Sequence, residues 1–178
     1  PLALARAVTQ NLRAGKVRSG ASTITMQVAR LMRPKPRTIP NKVLEMAQAL
    51  KLETRLDKTE ILRLYLEHAP YGGNLVGATA ASLHYFNRPP DRLTWAEAAT
   101  LAVLPKAPTA VTPFRNAALL LKRRNRLLQV LNDHGSIDDQ TLRESLFEEL
   151  PTRTHPMPRV APHFVRRITG GGPGGNPR

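Results

Sequence analysis

Apolar residues recur every three or four positions along nearly the whole chain, which is the spacing of α-helices that bury one face. The repeating segments cover residues 2–14, 22–32, 40–54, 57–68, 75–86, 94–103, 115–134 and 136–150. Strict alternation of apolar and polar residues, the pattern of a half-buried strand, forms no convincing ladder. The pattern therefore predicts an all-α fold, with one domain over residues 1–150.

Residues that cap free backbone N–H groups mark where several of these helices begin. Ser22 or Thr23 can cap the second segment, and Pro40 suits the first turn of the third. Three further pairs have the three-residue spacing of helix caps: Asp57 with Glu60, Thr94 with Glu97, and Ser136 with Asp139. Because these capping residues lie at the starts of the apolar repeats, the caps and the helical period predict similar helix boundaries.

Proline and glycine separate the helices. Residues 33–40 contain three prolines and three basic side chains, which predict an extended basic loop. A turn is predicted at residues 70–74. Residues 151–178 are rich in proline and glycine, so we expect them to form an extended C-terminal linker.

The charge of the chain is strongly unbalanced. It carries 27 Lys and Arg residues against 13 Asp and Glu residues, a formal net charge of +14. This surplus predicts an anionic partner: nucleic acid, an anionic membrane surface or a phosphorylated substrate. Aromatic residues make up only 4% of the chain, which disfavours stacking on single-stranded bases. With no cysteine and no histidines at metal-binding spacing, no metal site is assigned to the side chains.

Glu45 is the first carboxylate in the chain, and every charged side chain ahead of it is Lys or Arg. Lys42 and Gln48 lie three positions to either side, which places all three residues on one face of the predicted helix. We expect four apolar residues of this helix to face the core: Val43, Met46, Ala47 and Leu50. A lysine keeps the nearby carboxylate ionised, so the pair fits the edge of an anion site, but an ordinary surface ion pair has the same spacing.

Three hydroxyl residues follow Gly20 at the predicted start of the second helix. Free N–H groups at a helix start favour phosphate, and Arg30 follows one to two turns later. A simple Ser/Thr cap would have the same sequence, so both interpretations stay open. The basic run at 122–126 most simply forms a solvated helix face, with contact to anionic lipid or nucleic acid as the alternative.

Four segments resemble, in the same order, the motifs of bacterial peptidoglycan glycosyltransferases, the lysozyme-like domain of class A penicillin-binding proteins. Residues 20–27 resemble the family's GxSTITxQ motif, and residues 41–45 resemble its RKxxE motif. Residues 58–86 and 93–113 resemble its patterns KxEILxxYLN…G…G…AA…YF and LTxxEAAxLA…P…P. The resemblance implies a lysozyme-like helical glycosyltransferase domain that lacks its N-terminal motif.

The resemblance also implies a reaction, the polymerisation of lipid II. A glycan chain on undecaprenyl pyrophosphate would be the donor, and the 4-hydroxyl of a second lipid II would attack it with inversion. By motif position, five residues would bind the donor or its pyrophosphate: Ser22, Thr23, Gln27, Arg30 and Lys42. Glu45 would be a catalytic carboxylate near the pyrophosphate and near a divalent cation, usually magnesium.

The same resemblance implies where the protein works. Its partners would be lipid II, the nascent glycan strand, the surface of the bacterial inner membrane and other cell-wall synthesis proteins, with no nucleic acid. The site would face the periplasm, held by an anchor ahead of Pro1, and residues 151–178 would lead to a transpeptidase domain.

Several features depart from the family pattern. Its principal catalytic glutamate, the general base, lies in an EDxxFxxHxG motif that would precede Pro1, so we expect this chain alone to be inactive or nearly so. Arg30 stands where the family often has lysine, Asn41 replaces the arginine of RKxxE, and Glu67 replaces an asparagine. Two other functions stay open on the sequence: a basic helical nucleic-acid-binding module, and a lysozyme-like hydrolase that cleaves glycan with two carboxylates.

Overall fold

The computed structural model of the chain describes residues 22–36 and 38–156. The helices in these ranges are α1 (Ile24–Met32), α2 (Ile39–Glu53), α3 (Lys58–His68), α4 (Ala78–Phe86), α5 (Trp95–Val103), α6 (Ala117–Asp133) and α7 (Asp139–Phe147). A hairpin of β1 (Pro70–Gly72) and β2 (Leu75–Val76) joins α3 to α4. The all-α prediction is confirmed for this part of the chain. The predicted helix at 2–14 and the linker beyond residue 156 lie outside the described residues.

The predicted caps explain where several helices begin. At the start of α1, the Thr23 side chain accepts a hydrogen bond from the Met26 backbone N–H at 3.2 Å. Complete capping boxes open α3 and α5, at Asp57–Glu60 and Thr94–Glu97. Pro40 lies in the first turn of α2, where its missing N–H costs no hydrogen bond because N–H groups in the first turn have no partner within the helix. Local side-chain chemistry therefore sets these boundaries.

The last helix begins later than the sequence predicts. α7 starts at Asp139, and the carboxylate of Asp138, not Ser136, accepts the capping hydrogen bond from the Thr141 N–H at 2.7 Å. Hydrogen bonding from the Thr141 side chain and, to a smaller extent, from its backbone N–H lowers the pKa of Asp138, because both bonds favour the charged form. An ionised acceptor binds a helix N-terminus more strongly than a hydroxyl does, which is the physical reason for the later start.

The predicted turn at 70–74 is part of a hairpin that the sequence does not reveal. Pro70 lies opposite Val76 and Gly72 lies opposite Leu75, with an irregular register between them. Strands this short cannot display the alternation that marks a half-buried strand. α4 then begins at Ala78 and not at residue 75, because β2 occupies residues 75–76.

The core lies around α4, α5, α6 and the hairpin. Its main cluster consists of Ala69, Tyr71, Ala81, Tyr85, Leu101, Leu104, Val111 and Leu120. A smaller cluster beneath α7 consists of Ala99, Leu128, Ile137 and Leu142. Leu120 and Leu128 are fully buried and lie about two turns apart on α6, as its predicted apolar stripe requires.

α2 buries a different face from the one that its apolar residues predict. Val43 is 61% exposed and Leu50 is 66% exposed, whereas Glu45 is buried. Ala47 is also exposed and Met46 is half-buried, so the expected core-facing stripe is wrong. The ion pair of Glu45 with α1 explains the reversal, because it turns the apolar side outward. Within the described ranges, no helix is long and apolar enough to cross a membrane.

The basic run at 122–126 is not a uniformly solvated face. Arg124 is only 1% exposed, and its guanidinium donates hydrogen bonds to the backbone carbonyls of Leu146 and Glu148. These carbonyls lie at the end of α7, so an arginine on α6 holds that helix end in place. Lys122 and Arg126 are exposed, as the sequence predicts.

The segment after α7 returns to the helical core. Thr94 Oγ1 donates to the Glu148 carboxylate at 2.8 Å, and Leu150 packs against the main cluster. The His155 N–H donates to the His84 carbonyl at 2.7 Å. The boundary predicted at residue 150 stays a prediction, but His155, which lies beyond it, contacts α4.

Candidate active site

α1 and α2 lie side by side and run in opposite directions. Thr25, near the start of α1, donates to a carboxylate oxygen of Glu53, at the end of α2, at 2.7 Å. Arg30, near the end of α1, binds Glu45 in the first half of α2. Both helices also pack against α3. The helices that carry the motif segments at 20–27 and 41–45 are therefore held together at two levels along their length.

Arg30 and Glu45 form a two-pronged ion pair. Nε of the arginine donates to Oε1 at 2.7 Å, and Nη2 donates to Oε2 at 2.6 Å. The Glu45 side chain is 6% exposed, whereas the Arg30 side chain is 31% exposed. The carboxylate thus lies inside, and the guanidinium lies between it and solvent. Glu45 is a buried, bidentate partner and not an ordinary surface acid.

Pairing and burial act together on these charges. The hydrogen bond to Glu45 raises the pKa of Arg30, burial opposes this effect, and Coulombic attraction to the same carboxylate adds to it. Arg30 is therefore a cation throughout the physiological pH range. Removing one partner of a buried pair leaves an uncompensated charge, at a cost of roughly 3–5 kcal/mol when burial is complete and less here.

The structure separates the other candidate residues into two groups. Gln27 lies one turn before the arginine on the same face of α1, and Lys42 lies one turn before the glutamate on α2, so both adjoin the ion pair. Ser22 and Thr23 lie at the opposite end of α1, about 15 Å from Lys42 along the helix axes at about 1.5 Å per residue. A single phosphate cannot contact both ends. The predicted binding roles therefore concern different parts of a long ligand.

Two residues that join the motif helices are not evident from the sequence. Thr25 is buried, and Glu53 accepts its hydrogen bond from 28 positions further along the chain. No local pattern links residues at that separation. The only signal is that Thr25 belongs to the hydroxyl run at the start of α1.

Two residues that differ from the family pattern, Asn41 and Glu67, have clear local hydrogen-bond partners. Asn41 donates through Nδ2 to the Pro36 carbonyl at 2.9 Å, which ties the basic loop to α2. Glu67 accepts a hydrogen bond from Arg63 Nε at 2.9 Å on the exposed surface of α3. Glu67 also lines an open cavity of about 660 Å³ between α3 and α4. Neither residue contacts the Arg30–Glu45 pair through these bonds.

The described residues around Glu45 do not fit a divalent cation. Both carboxylate oxygens accept hydrogen bonds from a guanidinium, and the charged side chain one turn before Glu45 on α2, Lys42, is a cation. In the ranges that the structure describes, no three His, Cys, Asp or Glu residues group to hold a metal. Magnesium prefers an octahedron of oxygen ligands. The donor set here is that of an anion site.

The ion pair suits the binding of a phosphate group. A guanidinium has five N–H donors, of which Arg30 gives two to Glu45, so three more remain beyond those bonds. A planar guanidinium matches phosphate oxygens well, and the Lys42 ammonium adds a second positive charge. The arrangement can therefore hold a pyrophosphate and stabilise negative charge that grows on it.

Several known proteins are similar in sequence to this chain. The transglycosylase family model matches residues 1–132. Penicillin-binding protein 1C of Escherichia coli (strain K12) is 43% identical over 170 residues, which are 96% of this chain and 22% of that protein. Penicillin-binding protein 1A of Aquifex aeolicus (strain VF5) is 35% identical over 94% of this chain and 23% of that protein. The chain spans about a fifth of the length of these curated relatives.

A solved structure has the same fold. The crystal structure of penicillin-binding protein 1A from Haemophilus influenzae matches with a TM-score of 0.50 and 24% sequence identity, over 82% of this chain and 19% of that chain. This likeness supports the predicted lysozyme-like helical fold. The family model, in turn, covers both motif helices and the Arg30–Glu45 pair between them. The chain belongs to the transglycosylase family.

Proposed function

We propose that this chain is the glycosyl-transfer part of a protein that polymerises lipid II into the glycan strands of bacterial peptidoglycan. The family match supports the reaction class. The observation that carries the proposal is the bidentate Arg30–Glu45 pair between α1 and α2, the two helices that carry family motifs. It fixes a guanidinium beside Lys42, where a pyrophosphate leaving group needs positive charge.

The transfer forms one bond and breaks another. The oxygen of the acceptor's 4-hydroxyl bonds to the anomeric carbon of the donor, and the bond from that carbon to the pyrophosphate oxygen breaks. Undecaprenyl pyrophosphate leaves with the bonding electron pair. The hydroxyl proton passes to a general base, which the family resemblance places ahead of Pro1. Arg30 and Lys42 stabilise the charge that grows on the leaving oxygen, and Glu45 orients Arg30.

The experiment that tests this function replaces Glu45 with glutamine. The protein is expressed with the residues that its gene encodes ahead of Pro1, and the rate of lipid II polymerisation is measured. We expect Glu45→Gln to lower the rate at least ~100-fold, because a neutral amide cannot hold the guanidinium in a charged fork. Glu67→Gln is the matched control, since it breaks an Arg–Glu pair on the exposed surface of α3.

Two results would contradict the assignment. Near-normal turnover of a folded Glu45→Gln protein would show that Glu45 has no role in the reaction. An equal loss in Glu67→Gln would show that either substitution acts through general destabilisation. Circular dichroism of both variants separates loss of folding from loss of chemistry.

We also propose that the protein works at the periplasmic face of the bacterial inner membrane. Ile39, Val43 and Leu50 are exposed and share one face of α2 at helical spacing. The basic side chains of Lys51 and Arg55 follow at the end of the same helix and just beyond it. A helix with an exposed apolar face and basic flanks suits an anionic lipid interface. This position would bring the site to a lipid-linked substrate.

The two other functions left open by the sequence have no support from the family match. Tight, steeply salt-dependent DNA binding without affinity for lipid II would favour a nucleic-acid-binding module. Release of muropeptides from purified sacculi would favour a hydrolase. Polymer formed from lipid II would exclude hydrolysis as the main activity.

A further inference from the structure

Arg30 occupies the position beside Glu45 that a divalent cation would need. Its nitrogens lie 2.7 and 2.6 Å from the two carboxylate oxygens. A carboxylate offers about four lone-pair sites, and the guanidinium takes one on each oxygen. A magnesium ion, which binds oxygen at about 2.0–2.1 Å, could use these two sites only by displacing the guanidinium. A cation bound to these two sites and the observed ion pair would therefore compete for Glu45.

We propose that glycosyl transfer at this site needs no divalent cation, because the Arg30 guanidinium, clamped by Glu45, supplies the fixed positive charge. The inference rests on the proposed function, since it concerns the same pyrophosphate leaving group. It explains why Glu45 is buried inside the pair while Arg30 lies on the solvent side. The acid orients the cation, and the cation meets the substrate.

Positive charge close to the Arg30–Glu45 pair also supports the proposal. Lys42 lies one turn before Glu45 on the same helix. The charge of Glu45 is already balanced by its bidentate bond with Arg30. Glu45 therefore does not cancel the positive charge that Lys42 adds. A leaving pyrophosphate would meet a guanidinium with three further N–H groups, and an ammonium beside it. That set performs the charge neutralisation for which a bound cation would otherwise be needed.

The arginine side chain is essential to this argument. An ammonium is a compact point charge and cannot engage both carboxylate oxygens in a planar fork. Arg30→Lys would therefore loosen the hold on Glu45 and leave room for a metal ion beside its oxygens. The substitution separates the effect of positive charge from the effect of the fork.

Polymerisation of lipid II with excess EDTA and with added magnesium tests the proposal. The protein again includes the residues encoded ahead of Pro1. We expect the wild-type rate to change by less than about twofold between the two conditions, and Arg30→Lys to be at least ~10-fold slower than wild type in EDTA. Arg63→Lys is the matched control, because Arg63 forms an exposed pair with Glu67, and it should behave as wild type.

Binding of Mn²⁺, followed by electron paramagnetic resonance without lipid II, gives a readout independent of turnover. We expect wild type and Glu45→Gln to bind Mn²⁺ equally. A Mn²⁺ site lost in Glu45→Gln would overturn the proposal, as would a wild-type rate that falls at least ~10-fold in EDTA and returns with magnesium. Arg30→Lys as fast as wild type in EDTA would also overturn it. Polymer formed in these cases still supports the proposed function, whereas no polymer in either condition would overturn both.

Discussion

Two arginines form internal hydrogen bonds, and the partner of each one determines its role. Arg30 binds a carboxylate between α1 and α2 and is partly exposed, so its remaining N–H groups suit an incoming anion. Arg124 binds two backbone carbonyls inside the domain. Burial lowers the pKa of Arg124, whereas the hydrogen bond to Glu45 raises the pKa of Arg30. The first arginine serves the site and the second serves the fold.

Replacing Arg124 with methionine should destabilise the protein without touching the site. Methionine keeps much of the side-chain volume but leaves the carbonyls of Leu146 and Glu148 without their donor. We expect the free energy of unfolding, measured by urea denaturation, to fall by about 2–4 kcal/mol. Arg126→Met on the exposed side of α6 should change it by less than about 0.5 kcal/mol. Equal effects would contradict the structural role of Arg124.

Tyr71 should make the protein sensitive to high pH. Burial, with a smaller contribution from Tyr65, raises the pKa of Tyr71 to about 12. An unfolded tyrosine has a pKa of about 10, so between pH 10 and 12 the unfolded chain releases the proton while the folded chain keeps it. Stability therefore falls as pH rises through this window, by about 2–3 kcal/mol from this group. In Tyr71→Phe, the free energy of unfolding should fall less steeply between pH 10 and 12 than in wild type. The same pH dependence in both proteins would argue against the raised pKa of Tyr71.

At the scale of elements, α2 uses its two faces for different purposes. One face holds Glu45 against α1, and the other exposes Ile39, Val43 and Leu50. An amphipathic helix normally buries its apolar face. The reversal follows from the strong pairing of a carboxylate with a guanidinium, and it leaves an apolar surface directly behind the candidate site.

The exposed face of α2 should strengthen binding to lipid vesicles. Leu50→Asp removes apolar area and adds negative charge, so we expect the fraction bound to anionic vesicles to fall at least about threefold. Phe147→Asp is the control, because Phe147 is also exposed but lies at the end of α7. Co-sedimentation with phosphatidylglycerol-containing vesicles measures both. An equal fall for the two variants would indicate a charge effect without a docking face.

The β1–β2 hairpin should tolerate no side chain at Gly72. Its φ is +131°, and an added Cβ would lie 2.8 Å from the Tyr85 hydroxyl, which donates to the Tyr71 carbonyl. We expect Gly72→Ala to lower the free energy of unfolding by about 2–4 kcal/mol. Gly73→Ala has a φ of +53° and open space, so it should cost about 1–2 kcal/mol. Similar melting temperatures for the two variants would rule out the close approach at Gly72.

At the scale of the whole molecule, the site lies beside the main core and not within it. The core clusters involve α4 to α7 and the hairpin, whereas α1 and α2 pack together and against α3. α3 in turn contacts α4, so it links the motif helices to the core. A change at the ion pair can therefore alter chemistry while most of the core stays folded.

Much of this frame follows from the sequence, because helical period and capping residues act locally. The starts of α1, α3 and α5 could be predicted from Thr23, Asp57–Glu60 and Thr94–Glu97. The family resemblance predicted that Arg30 and Glu45 belong to one site, but not that they pair directly. The buried face of α2 could not be predicted, because it depends on a partner 15 residues away in the chain. The Thr25–Glu53 bond and the hairpin also depend on tertiary contacts.

The most direct test of the central claim is the product that the protein makes from lipid II. Purified protein that includes the residues encoded ahead of Pro1 is incubated with labelled lipid II, and the products are separated by gel electrophoresis. We expect a ladder of glycan strands from wild type and at least ~100-fold less from Glu45→Gln. Lipid II left unpolymerised by the folded wild-type protein would contradict the account.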